Sequence, residues 1–294
     1  MSAKIKAHIA LVLVGLLYGA NYSIAKVVMD ENYIQPLGFI LMRVVAGAVL
    51  FWIFHQIFVR EKVEKKDFSL LFLCAVFGVA INQMMFFKGL KYTTPINASL
   101  IMTTTPILVL IVSAILIKEK ITAQKMVGIF FGALGAIILI SHGKGISFHQ
   151  NQMIGDVMIF INAISYGIYL VLVKKLMARY HPLTIVKWVF IFGIALVIPF
   201  GIGDVNAVEW SSFTSKIWWA VAYVLVGVTF LAYLLNAFAL KIVNPSVVSI
   251  YIYLQPLFAT IFALLLGKDE MSWVKIWSGI LIFLGVYLVS QAKK

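Results

Sequence analysis

Carboxylates and charge in general are scarce in this chain of 294 residues: eleven Asp and Glu stand against twenty-four Lys and Arg, and charged residues make up only 12%. Soluble domains carry roughly 25% charged and 45–50% apolar residues, whereas 63% of this chain is apolar. A soluble globule could not hide that much apolar side chain without large adhesive patches. The single cysteine, Cys74, excludes an internal disulfide and with it a secreted disulfide scaffold. The same composition excludes disorder and fibrous repeats. Histidine is also sparse, and residues 8, 55, 142, 149 and 181 are scattered. None belongs to a His-Glu-x-x-His pair, and neither G-x-S-x-G nor the phosphate-binding G-x-x-x-x-G-K-[ST] occurs. Metalloprotease, serine-hydrolase and ATP-driven pump chemistry therefore lack their residues. No Met-Cys-His cluster marks a metal path. The expectation is a protein that is not an enzyme and has no cofactor and no metal site.

Long apolar runs are abundant. A bilayer core of roughly 30 Å requires about 20 mostly apolar helical residues, and ten segments qualify: 8–29, 36–58, 68–90, 95–117, 123–141, 154–175, 183–203, 216–241, 245–266 and 272–291. Strands of a membrane barrel would be about half as long with alternating polarity, so the spans are helices. The first follows Lys4 and Lys6 like a signal peptide, yet it runs on without a small-residue cleavage site and is read as retained.

The net charge of +13 has a topological pattern. With the N-terminus inside, sixteen Lys and Arg fall on inner segments and six on outer ones. The positive-inside rule then places both termini in the cytoplasm, and a bacterial plasma membrane is the expected location. The basic balance is no footprint for nucleic acid. The expected partners are the lipid bilayer and a small-molecule substrate. The oligomeric state is left open, a monomer included.

The chain repeats internally. Segment 89–140 aligns with 239–290 at a constant offset of 150, with eleven of 52 positions identical, among them Pro95/Pro245, Pro106/Pro256, Lys118/Lys268 and Gly135/Gly285. Upstream, Tyr18-Gly19 with Lys26 recurs as Tyr166-Gly167 with Lys174, and Pro36-Leu37 with Gly47 as Pro182-Leu183 with Gly193. The expected division is one five-helix repeat over 1–141, a connecting loop over 142–154 and a second five-helix repeat over 155–294. Five is odd, so the second repeat enters the membrane from the opposite side. Inverted repeats of this kind build alternating-access transporters around a central site.

Pro95 and Pro245 open their helices, where a missing N–H costs nothing. Pro106 and Pro256 lie eleven residues on, about 16 Å along the axis and close to mid-membrane. Each removes a backbone hydrogen bond there, freeing the carbonyls of Met102 and Ile252. Such kinks are expected to face protein or a wet cavity and to serve gating; simple packing kinks are the alternative.

Four stretches carry a family resemblance: Tyr18-Gly19 through Lys26, Arg43 in the second span, the run from Asn97 to Leu139 that begins NASLIMTTTPILVL, and GDVMIFINAISYGIYLVLVKKL at 155–176. Together they resemble the EamA-type family of the drug/metabolite transporter superfamily, over essentially the whole chain. The resemblance implies an all-α membrane protein of ten helices, a central cavity, and export or exchange of small metabolites. That family often has tryptophan where Tyr18 and Tyr166 stand, which implies a more polar cavity here.

Within the spans the acids are missing: all eleven fall in loops or at span ends. A proton-coupled exporter of cations usually needs a mid-membrane carboxylate, so drug-cation antiport is disfavoured. Arg43 lies seven residues beyond Pro36, about 10 Å down its helix. Its planar fork suits a substrate carboxylate; snorkelling, or a structural tie to Asp30 or Glu31, is the alternative. Tyr18, Asn21 and Tyr22 share one face of the first helix, and Asn162, Tyr166 and Tyr169 one face of the sixth. Asn82, Thr105, Asn236, Tyr251 and Gln255 add amides and hydroxyls. Such a ring suits an amino-acid-like solute, although helix–helix hydrogen bonds would use the same residues. The expected function is secondary transport, in the outward direction, of a small polar solute that is neutral, zwitterionic or weakly anionic. A flippase for lipids or lipid-linked sugars and a solute channel stay open as alternatives.

Overall fold

The computed structural model describes residues 2–30, 33–143, 150–265 and 272–292. Within them the chain makes ten helical passes and, among the described residues, no strand. These are α1 (Ala3–Asp30), α2 (Pro36–Phe58), α3 (Lys65–Tyr92), α4 (Pro95–Met102 and Thr105–Ile117), α5 (Ala123–Gly143), α6 (Gln150–Met177), α7 (Pro182–Asn206), α8 (Ser215–Ile242), α9 (Pro245–Leu265) and α10 (Trp273–Gln291). Nine are long and apolar enough to cross a membrane, and the tenth, α5, contributes a shorter apolar stretch over Ala123–Leu139. This is an all-helical membrane protein.

Local chemistry sets the helix ends. Pro36, Pro182 and Pro245 occupy the first turns of α2, α7 and α9, where no N–H is required. The Ser272 hydroxyl accepts from the Lys275 N–H at the start of α10. At the end of α4, Lys118 turns left-handed at φ 53° and its N–H returns to the Ser113 carbonyl.

The helix contacts follow the sequence repeat. The most extensive contacts join α2 to α7 and α5 to α10, and in each pair the repeat exchanges the two helices. It likewise exchanges the α1–α8 pair with the α3–α6 pair. Lipid tails give no hydrophobic drive between helices, so close approach matters more. A Cβ on Gly285 would stand 2.5 Å from the Gly132 backbone nitrogen and 2.6 Å from the Gly128 carbonyl.

Both members of the α3/α8 pair carry a π-helical stretch, at Val76–Ala80 and Tyr223–Leu231. Helices α4 and α9 are interrupted just before their second prolines. In α4 the Thr103 and Thr104 hydroxyls donate to the Leu100 and Ile101 carbonyls at 2.6 and 2.8 Å. In α9 the interruption is a tight turn over Tyr251–Tyr253.

Several of the scarce acids tie the ends of the bundle. At the end that holds both termini, Asp67 accepts from Arg179 and, at 2.6 Å, from the Tyr180 hydroxyl. That carboxylate raises the Tyr180 hydroxyl above its ordinary pKa. Glu61 accepts from the His181 N–H and the Thr184 hydroxyl, and Glu119 from Lys125 and Ser246. At the far end Thr93 donates to Asp156 at 2.5 Å and the Gly38 N–H to Asp204 at 3.2 Å. Most of these bonds join the first half to the second.

Candidate functional site

Mid-bundle, between the two halves, α1, α2, α3, α4, α6, α8 and α9 enclose a cavity of about 90 Å³. Its walls are largely apolar, with Leu11, Val14, Phe86, Phe87, Met102 and Ile252 among them. Polar groups come from every side: Tyr18 and Asn21 from α1, Asn82 from α3, Asn162 and Tyr166 from α6, Asn236 from α8, and Tyr251 and Gln255 from α9. A pocket of this kind, apolar with a few convergent polar groups, is the usual form of a small-molecule site.

Arg43 lines the cavity; among the described lining residues it is the single charged one and none is acidic. The side chain is 4% exposed. Its Nε donates to the Thr229 hydroxyl at 2.7 Å, and its guanidinium lies 4.6 Å from the centre of the Phe87 ring. Thr229 lies in the π-helical stretch of α8, and its hydroxyl donates to the Val224 carbonyl, five residues back, at 2.9 Å. No carboxylate among the described residues pairs with Arg43. The side chains of Asp30, Lys26 and Tyr22, and residue Glu31, lie outside the described residues.

Neighbouring amides form a network. Asn82 and Asn162 bond each other's backbone carbonyls across α3 and α6, the Asn162 amide donating at 2.7 Å and the Asn82 amide at 3.4 Å. The Asn236 amide donates to the Tyr18 hydroxyl at 3.4 Å. Towards the termini end, the Tyr251 hydroxyl meets His8 Nδ1 at 2.7 Å.

The family match settles what kind of bundle this is. The sequence pattern of the EamA-like transporter family matches residues 5–141 and again 153–291. The chain belongs to the EamA-like transporter family. Among its relatives, an uncharacterized transporter of Archaeoglobus fulgidus is 26% identical over 97% of both chains. The uncharacterized transporter YyaM of Bacillus subtilis is 26% identical over 96% of this chain and 93% of its own. A WAT1-related protein of Arabidopsis thaliana is 22% identical over 99% of this chain and 85% of its own. A solved crystal structure shares the fold with a TM-score of 0.77 at 16% identity, covering 96% of this chain and 98% of that one.

Within this EamA-like bundle, two residues singled out from the sequence do not line the cavity. Thr105 is fully buried against its own helix, with its hydroxyl 4.0 Å from the Met102 sulfur. Tyr169 packs over Gly78, where a Cβ would lie 2.3 Å from the tyrosine ring. Pro106 and Pro256 also stand outside the lining, although Met102 and Ile252, whose carbonyls they free, are part of it.

Gln83 and Tyr233 line the cavity without having stood out in the sequence. The Gln83 amide donates to the Tyr233 hydroxyl at 3.2 Å, and that hydroxyl donates to the Gly78 carbonyl at 3.0 Å. The two residues are 150 apart, the offset of the repeat, so equivalent positions of the two halves meet here. The repeat offset makes every residue one of a pair, so it could not by itself single these two out.

Proposed function

We propose that this EamA-family protein is a secondary transporter that exports a small polar, amino-acid-like solute across a bacterial plasma membrane by alternating access. The termini are cytoplasmic in this reading. The observation that carries it is the cavity itself: a largely apolar chamber at mid-bundle with polar groups converging from seven helices, where inverted-repeat carriers hold their cargo. Tyr18, Asn21, Arg43, Asn82, Tyr166, Asn236, Tyr251 and Gln255 form the binding ring. Polar ties between the halves at both ends of the bundle supply two sets of contacts that can open in turn.

The test compares metabolites in spent medium and cytoplasm for cells expressing the wild type or Arg43→Ala at matched membrane levels. The expected result is a small set of polar solutes enriched outside only with the wild type. Identical profiles from two folded proteins would overturn export. Saturable counterflow in proteoliposomes separates the carrier from a channel, which would pass solute without exchange.

A further inference from the structure

We infer that Glu119 is a one-sided latch. Through Ser246 it holds the start of α9 against the first half, at the end of the bundle that bears the termini, and the start of α4 has no such hold at the far end. The gate on the termini side is therefore the tighter of the two. The inference deepens the transport reading and rests on it only for the claim that solute passes this gate.

The latch begins with a turn. Lys118 is left-handed at φ 53°, a conformation uncommon for a residue with a Cβ and a mark of local strain. The N–H groups of Lys118 and Glu119 both return to the Ser113 carbonyl, and the Glu119 side chain is 3% exposed. One of its carboxylate oxygens accepts from Lys125 Nζ at 2.8 Å and from the Ser246 hydroxyl. Lys125, equally buried, donates in addition to the Lys120 carbonyl at 2.9 Å. Acid and lysine both belong to the first half. When Ser246 leaves, the carboxylate keeps its cation, so opening breaks one charged hydrogen bond and strands no buried charge.

What the latch holds is a short arm. Pro245–Ile250 is buried at every position and is followed by the tight turn over Tyr251–Tyr253, which serves as its hinge. Val248 on the arm, and Tyr251 and Ile252 in the hinge, line the cavity, so the wall on this side moves with the arm. The arm packs on the second stretch of α4. The contact of Tyr251 with His8 lies at the hinge and leaves the tip of the arm to Ser246.

The one-sidedness comes from the repeat. Helix α2 is tied to α7, and α3 to α6, at both ends: by Glu61 and Asp67 at the termini end, and by Asp204 and Asp156 at the far end. Those ties do not distinguish the ends. The latch corner also recurs in sequence, as Lys118-Glu119 with Lys125 and as Lys268-Asp269 with Lys275. Its cross-half partner does not. At the offset of 150 the position of Ser246 is taken by Ile96, whose side chain has no donor.

The test uses the full-length chain with Cys74→Ala and a single reporter, Val14→Cys, in the cavity wall. A membrane-impermeant thiol reagent is applied to sealed vesicles of either orientation, and the termini face is identified by reaction of Lys62→Cys. Ser246→Ala should raise labelling from the termini face at least about 10-fold and leave the far face without a rise. That is the population shift expected from losing a hydrogen bond to a charged group. Glu119→Gln keeps a neutral acceptor and should give a smaller rise on the same face; it decides the question where Ser246→Ala does not fold. Ser249→Ala removes another buried hydroxyl, whose bond stays within the arm on the Ser246 carbonyl, and should label as the reporter background does. Unchanged termini-face labelling in a normally melting Ser246→Ala overturns the latch. So does an equal rise from both faces, or the same rise in Ser249→Ala, since either is a general loosening. A one-sided rise without counterflow of any solute in proteoliposomes upholds the latch and overturns carriage.

Discussion

An arginine inside a bilayer costs at least about 2.5–3.5 kcal/mol on insertion scales, so the groups that hold Arg43 matter. Its bond to Thr229 and its place over Phe87 offset part of that cost. Thr229→Val keeps the shape and removes the acceptor. It should lower unfolding stability by about 1–3 kcal/mol, measured by thermal melting of the purified protein. Gln255 tests the opposite wall. Gln255→Ala should reduce solute flux while leaving the amount of folded protein in the membrane unchanged; wild-type flux would remove Gln255 from the site. At this scale the sequence was partly legible. A charge in a span is conspicuous, and so are amides spaced on one helical face. Thr105 shows the limit, because a hydroxyl beside a proline break is equally able to turn back onto its own helix.

Helix contacts depend on where backbone can approach backbone. At Gly285 a methyl group would meet the Gly132 nitrogen and the Gly128 carbonyl, which cannot swing aside. Gly285→Ala should therefore separate α5 from α10 and cost about 1–3 kcal/mol. Gly203 in α7 has nothing within 4 Å of the same added atom. Gly203→Ala should be neutral or stabilising by up to about 1 kcal/mol. Melting the two variants side by side checks the contrast. The existence of these helices was legible from apolar run length, and their boundaries agree within a few residues: 8–29 expected against Ala3–Asp30 for α1, 36–58 against Pro36–Phe58 for α2. The π-helical stretches were not legible. They contain ordinary apolar sequence, and their extra residue per turn is a response to packing.

For the molecule as a whole, orientation is the first property to establish. Cys74 is fully buried, so Cys74→Ala provides a background for single reporters. Lys62→Cys, in the loop between α2 and α3, should resist a membrane-impermeant thiol reagent in intact cells and react after lysis. Lys216→Cys, at the start of α8, should react in intact cells. The reverse pattern would invert the topology and with it the meaning of export.

Composition and span length determined the membrane class and the helical fold. Each rests on a local free energy, since twenty apolar residues partition into a bilayer as a helix whatever their neighbours. Which of the mid-span polar residues form the wall of the cavity was decided by tertiary structure. Spans that are apolar on most faces carry weak amphipathic information, so the chain does not state which way a mid-span polar residue turns. Packing turned Asn82 and Gln83, adjacent in sequence, both into the chamber, and set Tyr169 against Gly78 instead. It also brought Gln83 of the first half to Tyr233 of the second, a meeting that exists only once the two halves have docked.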